Sequence, residues 1–221
     1  MPHHLNLLPL ALAALAVPAV LAVPAAPAAW TSVSTTTVSL VNGQTQTSAG
    51  TQYQSDAAQA SRFEPAAGSG RPTTVTLFDG PHGGMEMEVD ANNKCVAWCP
   101  PSSTYFNQIR VGNGKNGTSV AKEISPNTWQ WSDLLIIVKM DTKELAFASD
   151  GTTPQTLDEQ ITPFGKAIGN STTTFTTFKP SADVSKFQPT GVENCPKAPG
   201  CQQSVSSMRV SYQVEQLLKE F

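Results

Sequence analysis

Hydrophobic and polar positions alternate with a period of two along several short stretches of this chain. The clearest is MEMEVD (85–90), where Met85, Met87 and Val89 fall on one side and Glu86, Glu88 and Asp90 on the other. TTVTLFD (73–79) puts Val75 and Leu77 together in the same way. TSVSTTTVSLV (31–41) is rich in β-branched residues and runs into Asn42-Gly43, a strong hairpin signal, so TQYQSDAAQASRFE (51–64) is predicted as the returning strand. PAAGSGRP (65–72) and DGPHGG (79–84) read as turns, and ANN (91–93) leads into KCVAWC. Beyond them, TWQWSDLLIIVKMD (128–141) is a long apolar run in which Trp129 and Trp131 share a face if extended. TKELAFASDG (142–151) predicts a strand with Leu145 and Phe147 on one side, and TTTFTTFKP (172–180) is β-rich. After Cys201 the spacing of Val205, Met208, Tyr212, Leu217, Leu218 and Phe221 becomes nearly helical. The pattern predicts a mainly β domain over 29–202 with a C-terminal helix or tail over 203–221. No internal repeat and no linker divides it.

The first residues set the compartment. From Leu5 to Ala29 there is no charge, and Ala26-Pro27-Ala28 forms a small-residue end, which predicts a secretory signal peptide over 1–28. His3 and His4 stand where Lys or Arg is usual. Pro18, Pro24, Pro27 and the alanine-rich tail argue against a spanning helix, and no later segment is long and apolar enough for stable membrane insertion. The expected location is extracellular, or the lumen of the secretory or endolysosomal pathway. Two sequons, Asn116-Gly-Thr and Asn170-Ser-Thr, are then glycosylation candidates on exposed loops. Roughly 190 residues remain, enough for one core. A net charge of −3 without any basic run disfavours nucleic acid as a partner. Nothing in the sequence sets an oligomeric state.

The four cysteines, Cys95, Cys99, Cys195 and Cys201, have spacings that suit neither a zinc site nor a redox C-x-x-C motif. An even number in a secreted chain predicts disulfides. An extended KCVAWC would hold Cys95 and Cys99 about 13 Å apart, beyond the roughly 7 Å a disulfide tolerates. This favours Cys95–Cys195 with Cys99–Cys201. The local pairing 95–99 with 195–201 stays open, because Pro196, Pro199 and Gly200 could make a tight turn.

Three stretches resemble ependymin-related proteins in the same order: MEMEVDANNKCVAW, NTWQW with the strands after it, and TTFTTFKPSADVSKFQPTGVENC (173–195). The resemblance spans about residues 75–200. It implies a strongly curved antiparallel sheet, a half-barrel around a hydrophobic cavity, that carries lipid-like ligands without catalysis. It also implies a Cys95–Cys195 bond. The inner face would be lined by candidates Leu77, Met85, Met87, Val89, Trp129, Trp131, Leu135, Ile137, Phe147, Phe175 and Phe178.

The residue inventory offers little to a catalyst. His82 is the single histidine left after the leader, and it sits in a glycine- and proline-rich turn. There is no G-x-S-x-G elbow, no phosphate loop and no dinucleotide fingerprint, so no enzyme and no cofactor is expected. Glu86, Glu88 and Asp90 read as a solvated outer face with a weak calcium option and no other metal. The expectation is a secreted carrier of a hydrophobic small molecule or lipid. The alternatives are an extracellular matrix or surface glycoprotein with a filled core, and a carbohydrate-active enzyme using those carboxylates.

Overall fold

The computed structural model describes residues 23–101, 107–115, 118–135, 138–162, 167–199 and 201. Eleven strands among these residues form one antiparallel sheet: β1 (Ala29–Leu40), β2 (Thr45–Ser55), β3 (Ala60–Pro65), β4 (Thr73–Leu77), β5 (Met85–Val89), β6 (Cys95–Cys99), β7 (Lys122–Ser125), β8 (Thr128–Leu135), β9 (Val138–Phe147), β10 (Pro154–Ile161) and β11 (Gly169–Lys179). Their order is β6-β5-β4-β3-β2-β1-β11-β10-β9-β8-β7. Each half is a meander of neighbours in sequence. The two halves meet where β1 pairs with β11, from Thr31↔Lys179 to Leu40↔Gly169.

The mainly β expectation holds, with three differences in detail. The predicted returning strand 51–64 is two strands, because the chain turns between Ser55 and Ala60 with Gln59 in the left-handed region. The apolar run 128–141 is likewise a hairpin, β8 into β9, with Leu135 opposite Val138. Period-two apolar character alone cannot reveal a reversal inside a continuous run. Strands β7 and β10 were not anticipated, since KEIS and PQTLDEQI carry too little apolar alternation. The helix predicted over 203–221 lies outside the described residues, as do Asn116, Ile137 and leader residues 1–22.

Register assigns side chains to two faces. One carries Trp30, Phe175, Leu157, Leu145, Phe147, Trp129 and Trp131, all buried in one cluster. The segment 107–121 contributes Ile109, Val111 and Ala121 to that cluster and leads into β7. Asn107 anchors the segment: its Oδ1 accepts from Trp30 Nε1 at 3.0 Å, and its Nδ2 donates to the Pro27 carbonyl at 3.0 Å. The Asp56 amide donates to the Ala28 carbonyl at 2.7 Å. Residues 26–28, at the end of the predicted leader, therefore take part in the fold. A cut at or before Ala25 would keep all these contacts. A bulge between Val33 and Ser34 leaves Thr176 unpaired and brings both Phe175 and Phe178 beside Trp30, with ring centroids at 6.3 and 6.1 Å.

The opposite face is covered at the other end of the sheet. Val75, Met85, Met87, Val89 and Cys95 are buried there, with Leu77, Trp98, Val192 and Cys195 against them. The chain after β11 covers this region. Cys95 N–H donates to the Thr190 carbonyl at 2.9 Å, Trp98 N–H to the Pro196 carbonyl at 3.0 Å, and Ala198 N–H to the Trp98 carbonyl at 2.9 Å. These bonds pair the returning segment in parallel with β6, so an edge strand open to other chains is closed. The Cys95–Cys195 disulfide fixes that contact, with Cα atoms 5.7 Å apart.

Arg62 adds a polar tie to the same segment. Its Nε donates to Glu64 Oε1 at 2.8 Å, and its Nη1 donates to Asn93 Oδ1 and to the Lys186 carbonyl. Lys186 Nζ returns to Glu64 Oε1 at 2.9 Å. Burial would raise the Glu64 carboxyl, but Lys186, Tyr53 and Arg62 together hold it below its usual range.

Cys195→Ser should therefore lower unfolding free energy by about 4–5 kcal/mol, as expected for a bond closing a loop of this length. Urea unfolding followed by tryptophan fluorescence reads it. Coincident transitions for the two proteins would show that the bond adds nothing.

Candidate ligand-binding face

The eleven cavity candidates do not form one surface. Leu77, Met85, Met87 and Val89 belong to the cluster under the returning segment. Trp129, Trp131, Phe147, Phe175 and Phe178 belong to the cluster around Trp30, on the other face. Leu135 lies in β8 opposite Val138. The members with described side chains are packed by protein: Met85 and Met87 are 0 % exposed, and Ile109 and Val111 pack in the same cluster as Trp129 and Trp131.

The acidic stripe also differs from its reading as a solvated face. Glu86 is buried at 6 % exposure, because it stands on the inner rung opposite Cys99 and Thr76. Asp90 is exposed, and its Oδ1 accepts from the Asn92 and Lys94 amides at 2.8 and 2.9 Å, closing the β5–β6 turn. The described carboxylates that do converge are Asp133, Asp141 and Glu159, with oxygens within 4.8 Å of one another. Lys143 stands among them, 2.6 Å from Asp133 and 3.5 Å from Glu159. Burial, then the charges of Glu159 and Asp133, push Asp141 up to about 6, against the opposing pull of Lys143. Lys143 itself is held above its usual value, since the three carboxylates outweigh the effect of burial.

His82 is exposed in the turn Pro81–Gly83, and its ring stacks on Trp98 at 4.8 Å between centroids. Asn170 is exposed too, but on strand β11 rather than on a loop. Cys99 and Cys201 are thiols in this structure. They are hydrogen-bonded neighbours, with Cys201 Sγ 3.6 Å from the Trp98 carbonyl oxygen. Burial and the adjoining Cys201 push the Cys99 thiol up to about 12.

An open cleft of about 400 Å³ lies at the end of the β1–β2 hairpin, lined by Val38, Leu40, Gln44, Thr45 and Gln46. None of the predicted cavity residues with described side chains lines it. Val38 pairs with Gln46 and with Ser171, and Ser171 pairs with Glu159. The cleft thus shares a rung of the Trp30 face with the Lys143 carboxylate group. Sequence reasoning missed these residues because Val38 and Leu40 are lone apolar positions among hydroxyls. The one available signal was Asn42-Gly43, which placed the hairpin tip beside them.

No protein-family model matches the chain, and no curated protein matches it at a significant level. Among the described residues no helix is long and apolar enough to cross a membrane.

Asp141 yields a pH prediction with a definite sign. Its folded value, about 6, lies above the ordinary 3.8, so the fold binds a proton that the unfolded chain releases. Stability should fall as pH rises from about 4 to about 6 and level off above that. Asp141→Asn should flatten this slope and gain about 1 kcal/mol at pH 7.5 after allowance for solvent screening. Thermal melts across pH measure it, and parallel profiles for the two proteins would refute it.

Proposed function

We propose that the protein is a secreted, noncatalytic carrier of a hydrophobic, lipid-like ligand, with its sheet curved into a half-barrel of the kind the ependymin-related resemblance implies. The observation that carries this reading is the cleft at the β1–β2 hairpin. Its volume of about 400 Å³ falls in the range of small-ligand sites, about 300–1,000 Å³. By register it opens onto the same sheet face as Trp30 and Phe175. The disulfide supports passage through an oxidising compartment. In such a compartment Cys99 and Cys201 would form a second disulfide, closing the β6 edge with two bonds.

The second reading is a surface glycoprotein acting through protein contacts. It draws support from the filled cluster of Ile109, Val111, Trp129 and Trp131, and from the exposure of Asn170.

Native mass spectrometry of the secreted, deglycosylated protein separates the two. The carrier reading expects a lipid-sized mass that leaves on denaturation. A bare native mass equal to the denatured one would move the function to the surface. The denatured spectrum before and after reduction should show two disulfides, and a single one would leave Cys99 and Cys201 as thiols.

A further inference from the structure

Buried polar atoms without a partner are rare in folded proteins, and here most of those among the described residues gather in one place. Four buried side-chain oxygens among the described residues lack a hydrogen-bond partner: Ser34 Oγ, Ser48 Oγ, Gln52 Oε1 and Thr142 Oγ1. Three of the four fall on successive rungs of one face of β1 and β2. Ser32 pairs with Gln52, Ser34 with Gly50, and Thr36 with Ser48. The next rung, Val38 with Gln46, is the lining of the cleft.

Aromatic residues flank the strip on the neighbouring strands. Phe175 stands opposite Ser34 on β11, and Phe63 opposite Gln52 on β3. Gly50 leaves room for the Phe63 ring, since a Cβ there would come within 2.6 Å of Phe63 Cζ. At the far end the strip is stopped, because Gln54 Oε1 already accepts from the Gln108 amide at 3.2 Å. Ser34 and Gln52 are each 2 % exposed.

We infer that this strip binds the uncharged hydroxyl or amide head of an amphiphile that enters through the hairpin cleft. Gln52 Oε1 would accept from the head, and Ser34 and Ser48 would donate or accept beside it. Its apolar part would lie along Val38 and Leu40. An anionic head fits poorly. No residue of the strip is ionisable, and the Asp133, Asp141 and Glu159 carboxylates outnumber Lys143 on the cleft's own side of the sheet. The inference rests on the carrier reading and narrows it to a ligand class.

The test uses the full secreted protein and displacement of a bound uncharged solvatochromic dye, Nile red. The competitors are 1-decanol, decyl methyl ether, which cannot donate, and sodium decanoate. Wild type should prefer the alcohol over the ether about tenfold, the worth of one net hydrogen bond, and take decanoate no better than the ether. Gln52→Leu keeps similar bulk but removes the acceptor. It should abolish the preference while raising the melting temperature of the ligand-free protein, because an unpaired buried oxygen is lost. Ser34→Ala should reduce the preference by a smaller factor. If folded wild type binds no dye, the carrier reading fails and this inference with it. If the dye binds but alcohol and ether compete equally, or Gln52→Leu keeps the preference, the head-group assignment alone is wrong.

Discussion

The pairing of β1 with β11 is the interaction on which the rest of the structure depends. It joins two meanders that would otherwise be separate sheets, each with an open edge at its middle. Trp30 sits at this seam with no exposed surface. It meets Phe175 and Phe178 on one side and donates to Asn107 on the other. The seam therefore does more than add backbone hydrogen bonds. It sets where the covering segment 107–121 can lie, and so which parts of the inner face are filled and which remain for the cleft.

The two apolar clusters follow from the same geometry. Both faces of a sheet need covering wherever they are apolar. Here the covering material is divided. The segment before β7 packs on the Trp30 face over β8–β10, and the segment after β11 packs on the opposite face over β4–β6. Between them, the middle rungs of β1 and β2, from Ser32 to Thr36 and from Ser48 to Gln52, carry small hydroxyl and amide side chains on the inner side rather than large apolar ones. Among the described residues, that stretch holds three of the four buried side-chain oxygens without a partner, and it adjoins the cleft.

Much of this was legible in the sequence, and the failures have physical causes. MEMEV showed its buried side because Met85, Met87 and Val89 alternate with carboxylates. The extended KCVAWC made the Cys95–Cys195 bond geometrically reasonable, and the bond is present. The inner strip was illegible because its residues are hydroxyls and amides. In TSVSTTTVSLV the apolar Val33 is 43 % exposed while Ser32 and Ser34 are buried, the reverse of what hydropathy predicts. The cavity candidates divide between two clusters for a related reason. Alternation reveals that residues share a face within one strand, but only register across strands reveals which face that is. Even there, the bulges at Val33–Ser34 and Glu88–Val89 reset the alternation for Phe178 and for Cys95 relative to Trp98.

The seam also has a consequence for biosynthesis. Thr31 and its partner Lys179 lie far apart in the sequence, so β1 gains its second neighbour only after everything between them has been synthesised. Until then a nascent chain holding β1–β6 presents a long, threonine-rich strand with one unsatisfied ladder. Such a strand is a template for any extended segment nearby, including the same strand of another copy. Folding of this chain therefore requires that the ladder stay unpaired with other segments until β11 arrives.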